Sequence, residues 1–203
     1  MIDITGTGDY INWIGDGSII VDEEVPTQQV NDIILRQYIE HTFMLYQGWN
    51  MITIPVENDY TAQTLGESIP SCSVITRFDP VSQTFFSYVV GSNYDNFDIE
   101  DGCGYYVYVT HTTPFIVNGF AIDAVSVDLY PGWNILGWFD TEPTNAESFG
   151  QNIAGCSVIT IFNALTQTFD THVVGTPHDN FPVEMGMGLF IYVNQASIWH
   201  GDG

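Results

Sequence analysis

Lysine is absent from this 203-residue chain, and Arg36 and Arg77 are its only strongly basic side chains against 25 Asp and Glu, giving a formal net charge of −23. Binding a nucleic-acid backbone requires Lys and Arg to replace its counterions, and two arginines cannot do that. The same deficit excludes attraction to an anionic membrane surface. No apolar run approaches the roughly 20 residues of a membrane helix, so membrane insertion is not expected. The opening MIDITGTGDY lacks the basic and apolar regions of a secretory leader; it reads as a start made without one or as a mature or excised piece. Three cysteines, Cys72, Cys103 and Cys156, are too few for a disulfide scaffold and read as buried free thiols, with a Cys72–Cys103 pair as the alternative. A Gly-rich phosphate loop, a Gly-x-Ser-x-Gly elbow and a paired-carboxylate motif are all missing, so no enzyme is expected.

What is present is one unit written twice. LYQGWN at 45–50 recurs as LYPGWN at 129–134, an offset of 84, and the same offset pairs CSVIT at 72–76 with CSVIT at 156–160. It also pairs QTF at 83–85 with 167–169, VVG at 89–91 with 173–175 and DNF at 95–97 with 179–181. No insertion or deletion interrupts the match. The reading is a mainly β chain: residues 1–39 form an N-terminal arm or linker, and 40–121 and 122–203 form two tandem homologous antiparallel β domains. Each is sandwich- or barrel-like, with about six strands and one short helix. Alternation at His41, Phe43 and Leu45 and at Val125, Val127 and Leu129 predicts a half-buried strand. Gly48 and Gly132 are expected to turn that strand into the next as a hairpin. Helices are expected after 61 and 145, and a second hairpin across Asp79, Pro80, Val81 and Ser82. Residues 28–39 carry helical spacing, with a strand as the alternative. The short link near 119–124 leaves no room for a flexible tether.

The run Leu45-x-x-Gly48-Trp49-Asn50-Met51-Ile52-Thr53-Ile54-Pro55, then Phe78-Asp79, then Gly102-x-Gly104-Tyr105-Tyr106-Val107, resembles the GWNLIS-type β domain. That domain occurs, often in tandem, in secreted and cell-surface proteins of archaea and bacteria. The second unit departs from the pattern, with Gly137-Trp138-Phe139 and Leu189-Phe190 at the matching places. The resemblance implies an extracellular or cell-surface location and a non-enzymatic role.

Three groups of residues are candidates for function. Asp95, Asn96, Asp98, Glu100 and Asp101 in the first unit, and Asp179, Asn180 and Glu184 in the second, supply the oxygen ligands that Ca²⁺ takes. The competing reading is a solvated turn whose Asp and Asn bond their own backbone. No cofactor is required, and Ca²⁺ is the one candidate. Trp49 and Trp133, with Trp138, are candidate stacking platforms for a glycan, although a tryptophan capping a small β core is the commoner use. Ile11, Trp13, Ile19, Ile20 and Val21 should not remain in water and mark the arm as a contact for self-association. His172 and His178 match Tyr88 and Tyr94 in the other unit, which argues for partly exposed aromatic packing rather than chemistry. The function expected is that of a non-catalytic extracellular structural protein, a subunit or module of a surface layer, filament or adhesive appendage. The alternative is a carbohydrate-binding module or accessory domain of a larger secreted protein.

Overall fold

A computed structural model describes residues 11–14 and 18–21 as backbone, and 36–202. Among the described residues the chain is mainly β, with two short helices. Strands β1 (Ile11–Ile14) and β2 (Ser18–Val21) pair antiparallel, Trp13 opposite Ile19, as a two-stranded ribbon. Strand β3 (Tyr38–Leu45) follows, then β4 (Gly48–Ile52), α1 (Ala62–Ser68), β5 (Cys72–Asp79), β6 (Thr84–Val89), β7 (Tyr105–Val109) and β8 (Thr113–Phe120). The second half repeats the series: β9 (Ala124–Leu129), β10 (Gly132–Gly137), a two-residue β11 (Thr144–Asn145), α2 (Ala146–Gln151), β12 (Cys156–Asn163) and β13 (Thr168–Val173). A two-residue β14 (Pro182–Val183), β15 (Gly188–Val193) and β16 (Ser197–Asp202) complete it.

Each half contains a two-stranded ribbon, β3–β8 or β9–β16, and a four-stranded antiparallel sheet. The sheet orders are β4-β7-β5-β6 and β10-β15-β12-β13, the same order under the 84-residue offset. The alternation read at His41, Phe43 and Leu45 is real, for Ile39, Phe43 and Leu45 point inward from β3 and meet Phe115 and Val117 of β8. Tyr105, Val107 and Val109 of β7 join that core, as do Ile75 of β5 and Leu65 of α1. Leu136, Phe149, Ile159, Leu189, Ile191 and Trp199 build the corresponding core of the second half.

The helices begin where the polar residues predicted them. Thr61 accepts from the Thr64 backbone N–H at 3.2 Å while the Thr64 hydroxyl accepts from the Thr61 N–H at 2.8 Å, a reciprocal cap. Asn145 caps α2 through Ser148 N–H at 2.9 Å. The hairpin across Asp79 and Ser82 also forms, joining β5 to β6.

The hairpin expected at Gly48 and Gly132 does not. Strand β3 pairs with β8, whereas β4 pairs with β7, so the chain turns a corner from ribbon to sheet there. Gly48 and Gly132 take φ of +104° and +108°, a region closed to side chains, and this re-aims the chain instead of reversing it. The asparagine after each Gly-Trp step locks the corner. Asn50, 2% exposed, accepts from Tyr46 N–H at 2.8 Å and donates to the carbonyls of Tyr46 at 2.8 Å and Gly48 at 3.2 Å. Asn134 repeats the arrangement on Tyr130 and Gly132. The helical spacing over 28–39 also fails at its end, since Tyr38 and Ile39 already belong to β3; residues 28–35 lie outside the described residues.

The halves meet through paired contacts related by the same offset. Thr53 N–H donates to the Gly186 carbonyl at 2.9 Å, and Gly137 N–H donates to the Gly102 carbonyl at 2.8 Å. Met51, Tyr106, Ile135 and Phe190 form a small core shared by both sheets. The equivalent positions 53 and 137 lie against each other, so only one can carry a side chain. Thr53 is fully buried and donates its hydroxyl to the Cys103 carbonyl at 2.7 Å. A Cβ added at Gly137 would collide with Thr53.

Gly137→Ala is therefore expected to lower unfolding stability by about 1–3 kcal/mol through overpacking. Adding Thr53→Gly should recover part of that loss. Urea melts of the two single variants and the double variant measure the coupling; additive effects would mean the two positions do not share space in solution.

Candidate functional site

The outer faces of the two four-stranded sheets look toward each other. In β5 and β6 the side chains turned away from the core are Thr76, Phe78, Phe85 and Ser87; in β12 and β13 they are Thr160, Phe162, Phe169 and Thr171. Together with Trp49, Trp133, Tyr106, Phe190 and Gln83 they line a cleft of about 910 Å³. That lies in the upper part of the range for ligand sites. No Asp, Glu, Lys, Arg or His is among these lining residues.

The rings interlock edge to face. Phe78 meets Phe85 at 5.0 Å between centroids, and Phe162 meets Phe169 at 5.1 Å, the same pair one offset on. Trp49 stands edge-on to Tyr108 at 5.1 Å and Trp133 to Tyr192 at 5.3 Å. Tyr106 sits at the centre, within 5.6–6.1 Å of the rings of Trp49, Phe85, Phe162 and Phe190. Its residue is 8% exposed, and its hydroxyl has no hydrogen-bond partner among the described residues. Burial holds the phenol well above its ordinary pKa, so it stays a neutral donor. Phe85 and Phe169 remain 53% and 54% exposed at the rim.

Polar groups on the walls come as hydroxyl pairs, Thr76 with Ser87 at 2.8 Å and Thr160 with Thr171 at 3.1 Å. Each pair uses one hydroxyl hydrogen internally and leaves a second, with free lone pairs, for a ligand. The two glutamines act differently. Gln83 accepts from Trp133 N–H at 2.9 Å and donates to the Trp133 carbonyl at 2.9 Å; Gln167 does the same to Trp49 at 3.0 and 2.9 Å. Each amide also donates to its own turn, Gln83 to the Pro80 carbonyl at 2.7 Å and Gln167 to the Ala164 carbonyl at 2.6 Å, so both are spent on holding the halves together.

Of the expected glycan platforms, Trp49 and Trp133 are in the cleft. Trp138 is not: it packs edge-on to Phe149 and donates its indole N–H to the Glu142 carbonyl at 3.1 Å. Phe78, Phe85, Tyr106 and their counterparts escaped the sequence reading. The signal for them was the retained QTF, together with aromatic residues at the strand positions opposite to the core.

The calcium candidates are divided. Asn96 accepts from Gln63 N–H and Asn180 from Glu147 N–H, both at 2.9 Å, so these side chains cap the helices. Asp95 and Asp179 adopt left-handed φ of 62° and 56° and are exposed. Asp98 pairs with Thr61 through the backbone, Glu184 is exposed, and Asp98, Glu100 and Asp101 border a second, mixed-charge groove of about 560 Å³ beside Arg77. Among the described residues no three His, Cys, Asp or Glu side chains converge as a metal site. The backbone of the arm candidates Ile11, Trp13, Ile19, Ile20 and Val21 lies in the β1–β2 ribbon.

His172 is not the partly exposed ring expected from its tyrosine counterpart. It and Tyr88 are both fully buried. His172 Nδ1 faces the His178 carbonyl at 2.9 Å and Nε2 faces Glu147 at 2.6 Å, which fastens α2 to β13; Tyr88 reaches the Ser92 carbonyl at 3.1 Å. Both positions therefore fasten the loop that follows their strand. Cys72 and Cys156 are half-buried rather than buried, and all three thiols are free. Burial pushes the Cys72 and Cys156 thiols up to about 11, which leaves them unreactive near neutral pH.

Compared with protein-family profiles, characterised proteins and solved structures, the chain matches none.

Two carboxylates give pH effects of opposite sign. Burial, with Glu57 and Asp59 adding repulsion, pushes Asp101 up to about 6, while the Asn58 amide donates to it at 2.9 Å. A carboxyl raised on folding stabilises below its unfolded pKa, near 4, and that contribution is lost as pH rises through about 6. Asp101→Asn should thus stabilise at pH 7 by roughly 1 kcal/mol, discounted for its half-exposed position, and change little at pH 4. Glu147 is held below the ordinary range by the Gly175 N–H, then by His172. Its contribution is present at neutral pH and lost as pH falls through its depressed pKa, so Glu147→Gln should destabilise at pH 7. Melting curves from pH 3 to 8 test both signs.

Proposed function

We propose that the chain is a non-catalytic module of a secreted or cell-surface protein, a building block of a surface layer, filament or adhesive appendage that acts by contact. The observation that carries this reading is the aromatic cleft between the repeats. Eight aromatic side chains line it, and two of them are half exposed at its rim. Monomeric proteins seldom leave such surface in water without a partner for it. Among the described residues no general base lines it and no metal cluster accompanies it. The resemblance to a domain of secreted proteins, and a surface of high negative charge, support an exterior setting. Such charge keeps copies apart at low salt and is screened over about 10 Å at 0.1 M.

A specific observation favours self-association as the contact: β6 and β13 are outer strands of their sheets and expose Phe86, Val89 and Val173. An outer strand accepts an added strand through its free ladder groups. The β-forming runs at 11–14 and 18–21 are suited to that addition.

Two measurements test the reading. The neutral dye Nile red is expected to bind the cleft, and Phe85→Asp with Phe169→Asp should weaken its binding at least about tenfold by placing new charge that binding must desolvate. Because both rings are half exposed, the variant should still fold. Deleting residues 1–36 should reduce the mass found by light scattering across a series of salt concentrations. A full-length protein that stays monomeric removes the assembly reading, and failure of the cleft to take up dye removes the cleft as a contact.

A further inference from the structure

If the cleft is a contact surface, as proposed above, its lining also limits the chemistry of its occupant, and the assignment of that occupant rests on the contact reading. An ionic partner is poorly served. An anion would enter a chain of charge −23 and find no cation among the described lining residues, and a cation would find no carboxylate among them. The occupant is neutral.

A purely apolar occupant is also poorly served. It would seal the hydroxyl of Tyr106, a residue already nine-tenths buried and without a partner for that group among the described residues, away from water. The same occupant would strip water from the hydroxyl pairs Thr76–Ser87 and Thr160–Thr171 and offer nothing in return. A buried hydroxyl left unpaired forfeits its hydration without replacement, so each of these groups disfavours such a ligand.

We infer that the cleft binds a neutral oligosaccharide. A pyranose ring carries an apolar C–H face and a rim of hydroxyls that both donate and accept. The walls are arranged for that combination. On each side a phenylalanine pair from adjacent strands, Phe78–Phe85 or Phe162–Phe169, lies beside a hydroxyl pair from the same two strands. The repeat places these two walls in equivalent positions across the cleft. Tyr106 breaks the equivalence. Its counterpart is Phe190, so one phenol and no second one stands at the centre. A chain laid between the walls gains one hydrogen bond at the centre, and Tyr106 is the residue that supplies it.

The test uses the full chain and an immobilised panel of neutral hexasaccharides: β-1,4-glucan, β-1,3-glucan, xylan, mannan and chitin. An anionic polyuronate and Nile red run alongside. Intrinsic tryptophan fluorescence, to which Trp49 and Trp133 contribute two of the five indoles, then follows titration with any sugar retained. The expected result is binding to at least one neutral sugar and none to polyuronate. Tyr106→Phe should weaken it by roughly 3–10-fold, the worth of one hydrogen bond. Phe85→Ala with Phe169→Ala should weaken it more than the phenol loss does, while the variant still melts cooperatively as a folded protein. Phe190→Tyr, which restores equivalence, should leave the sugar bound; loss of binding there with the fold intact would overturn the central placement of the chain. Uptake of Nile red or self-association through the cleft without any neutral sugar bound overturns the glycan assignment and leaves the contact reading standing. Sugar binding that ignores the Tyr106 and phenylalanine substitutions overturns the assignment to this cleft. No occupant of any kind overturns both readings.

Discussion

The facing of the two sheets depends on a pair of side-chain clamps. Each four-stranded sheet has one face committed to its own core, which leaves the other covered in aromatic rings. Turned toward water, those rings would be an aggregation liability. Turned toward the equivalent face they pack, provided something fixes the register. Gln83 and Gln167 do so by imitating a neighbouring strand, each accepting from and donating to the backbone of one tryptophan in the other half. Both glutamines sit at left-handed φ, 56° and 57°, which costs about 1–2 kcal/mol for a residue with a side chain. Two cross-half hydrogen bonds to backbone groups at each site offset that cost. Gly48 and Gly132 complete the fit, since a Cβ on either would meet the amide of the clamping glutamine at 2.7–2.8 Å.

The chain keeps its charge away from this arrangement. Twenty-five Asp and Glu are distributed over 203 residues, yet none is among the described residues that line the cleft. Where Asp101 lies close to Glu57 and Asp59, burial and their repulsion raise its pKa, and the Asn58 amide donates to it. The two arginines are used as much for packing as for charge. Arg77 lies over Phe97 at 5.0 Å and Arg36 over Phe120 at 4.8 Å, with Glu57 as the ion partner of Arg36. With so few cations available, capping asparagines and threonines take over the holding of loops, and this explains why the acidic loop retained in both halves spends its amide on a helix end.

Much of the architecture was legible because it was written twice. The 84-residue offset reappears as the same strand order, and the inward alternation at Phe43 and Leu45 follows from their period of two. Strand partners were less legible. Gly-Trp-Asn looks like a hairpin turn, but pairing is decided by residues far along the chain: Gly48 lies opposite Val109 and Ile52 opposite Tyr105, so β4 takes β7 instead of β3. The cleft was half legible. Trp49 and Trp133 stood out by residue type, whereas Phe78, Phe85 and Tyr106 look like ordinary core residues until the opposite face of β5 is known to be occupied. His172 misled because a tyrosine counterpart suggested exposure, while Tyr88 itself proves to be fully buried.

Duplication explains both the symmetry and the places where it must fail. Where two homologous halves contact each other reciprocally, the same position can come face to face, and a side chain cannot occupy the space of its own copy. Position 53 meets that limit, and Gly137 resolves it by carrying no Cβ where Thr53 carries three heavy side-chain atoms. The neighbouring replacements in the second half, Trp138 and Phe139 for Ile54 and Pro55, then belong to a strand end that serves one core only and is free to diverge. Tyr106 and Phe190 differ for another reason. Their centroids are 6.1 Å apart within one small core, so the two rings do not compete for one space as positions 53 and 137 do. Packing forces the first difference and merely permits the second, so the lone phenol at the centre of the cleft is a feature that sterics alone do not demand.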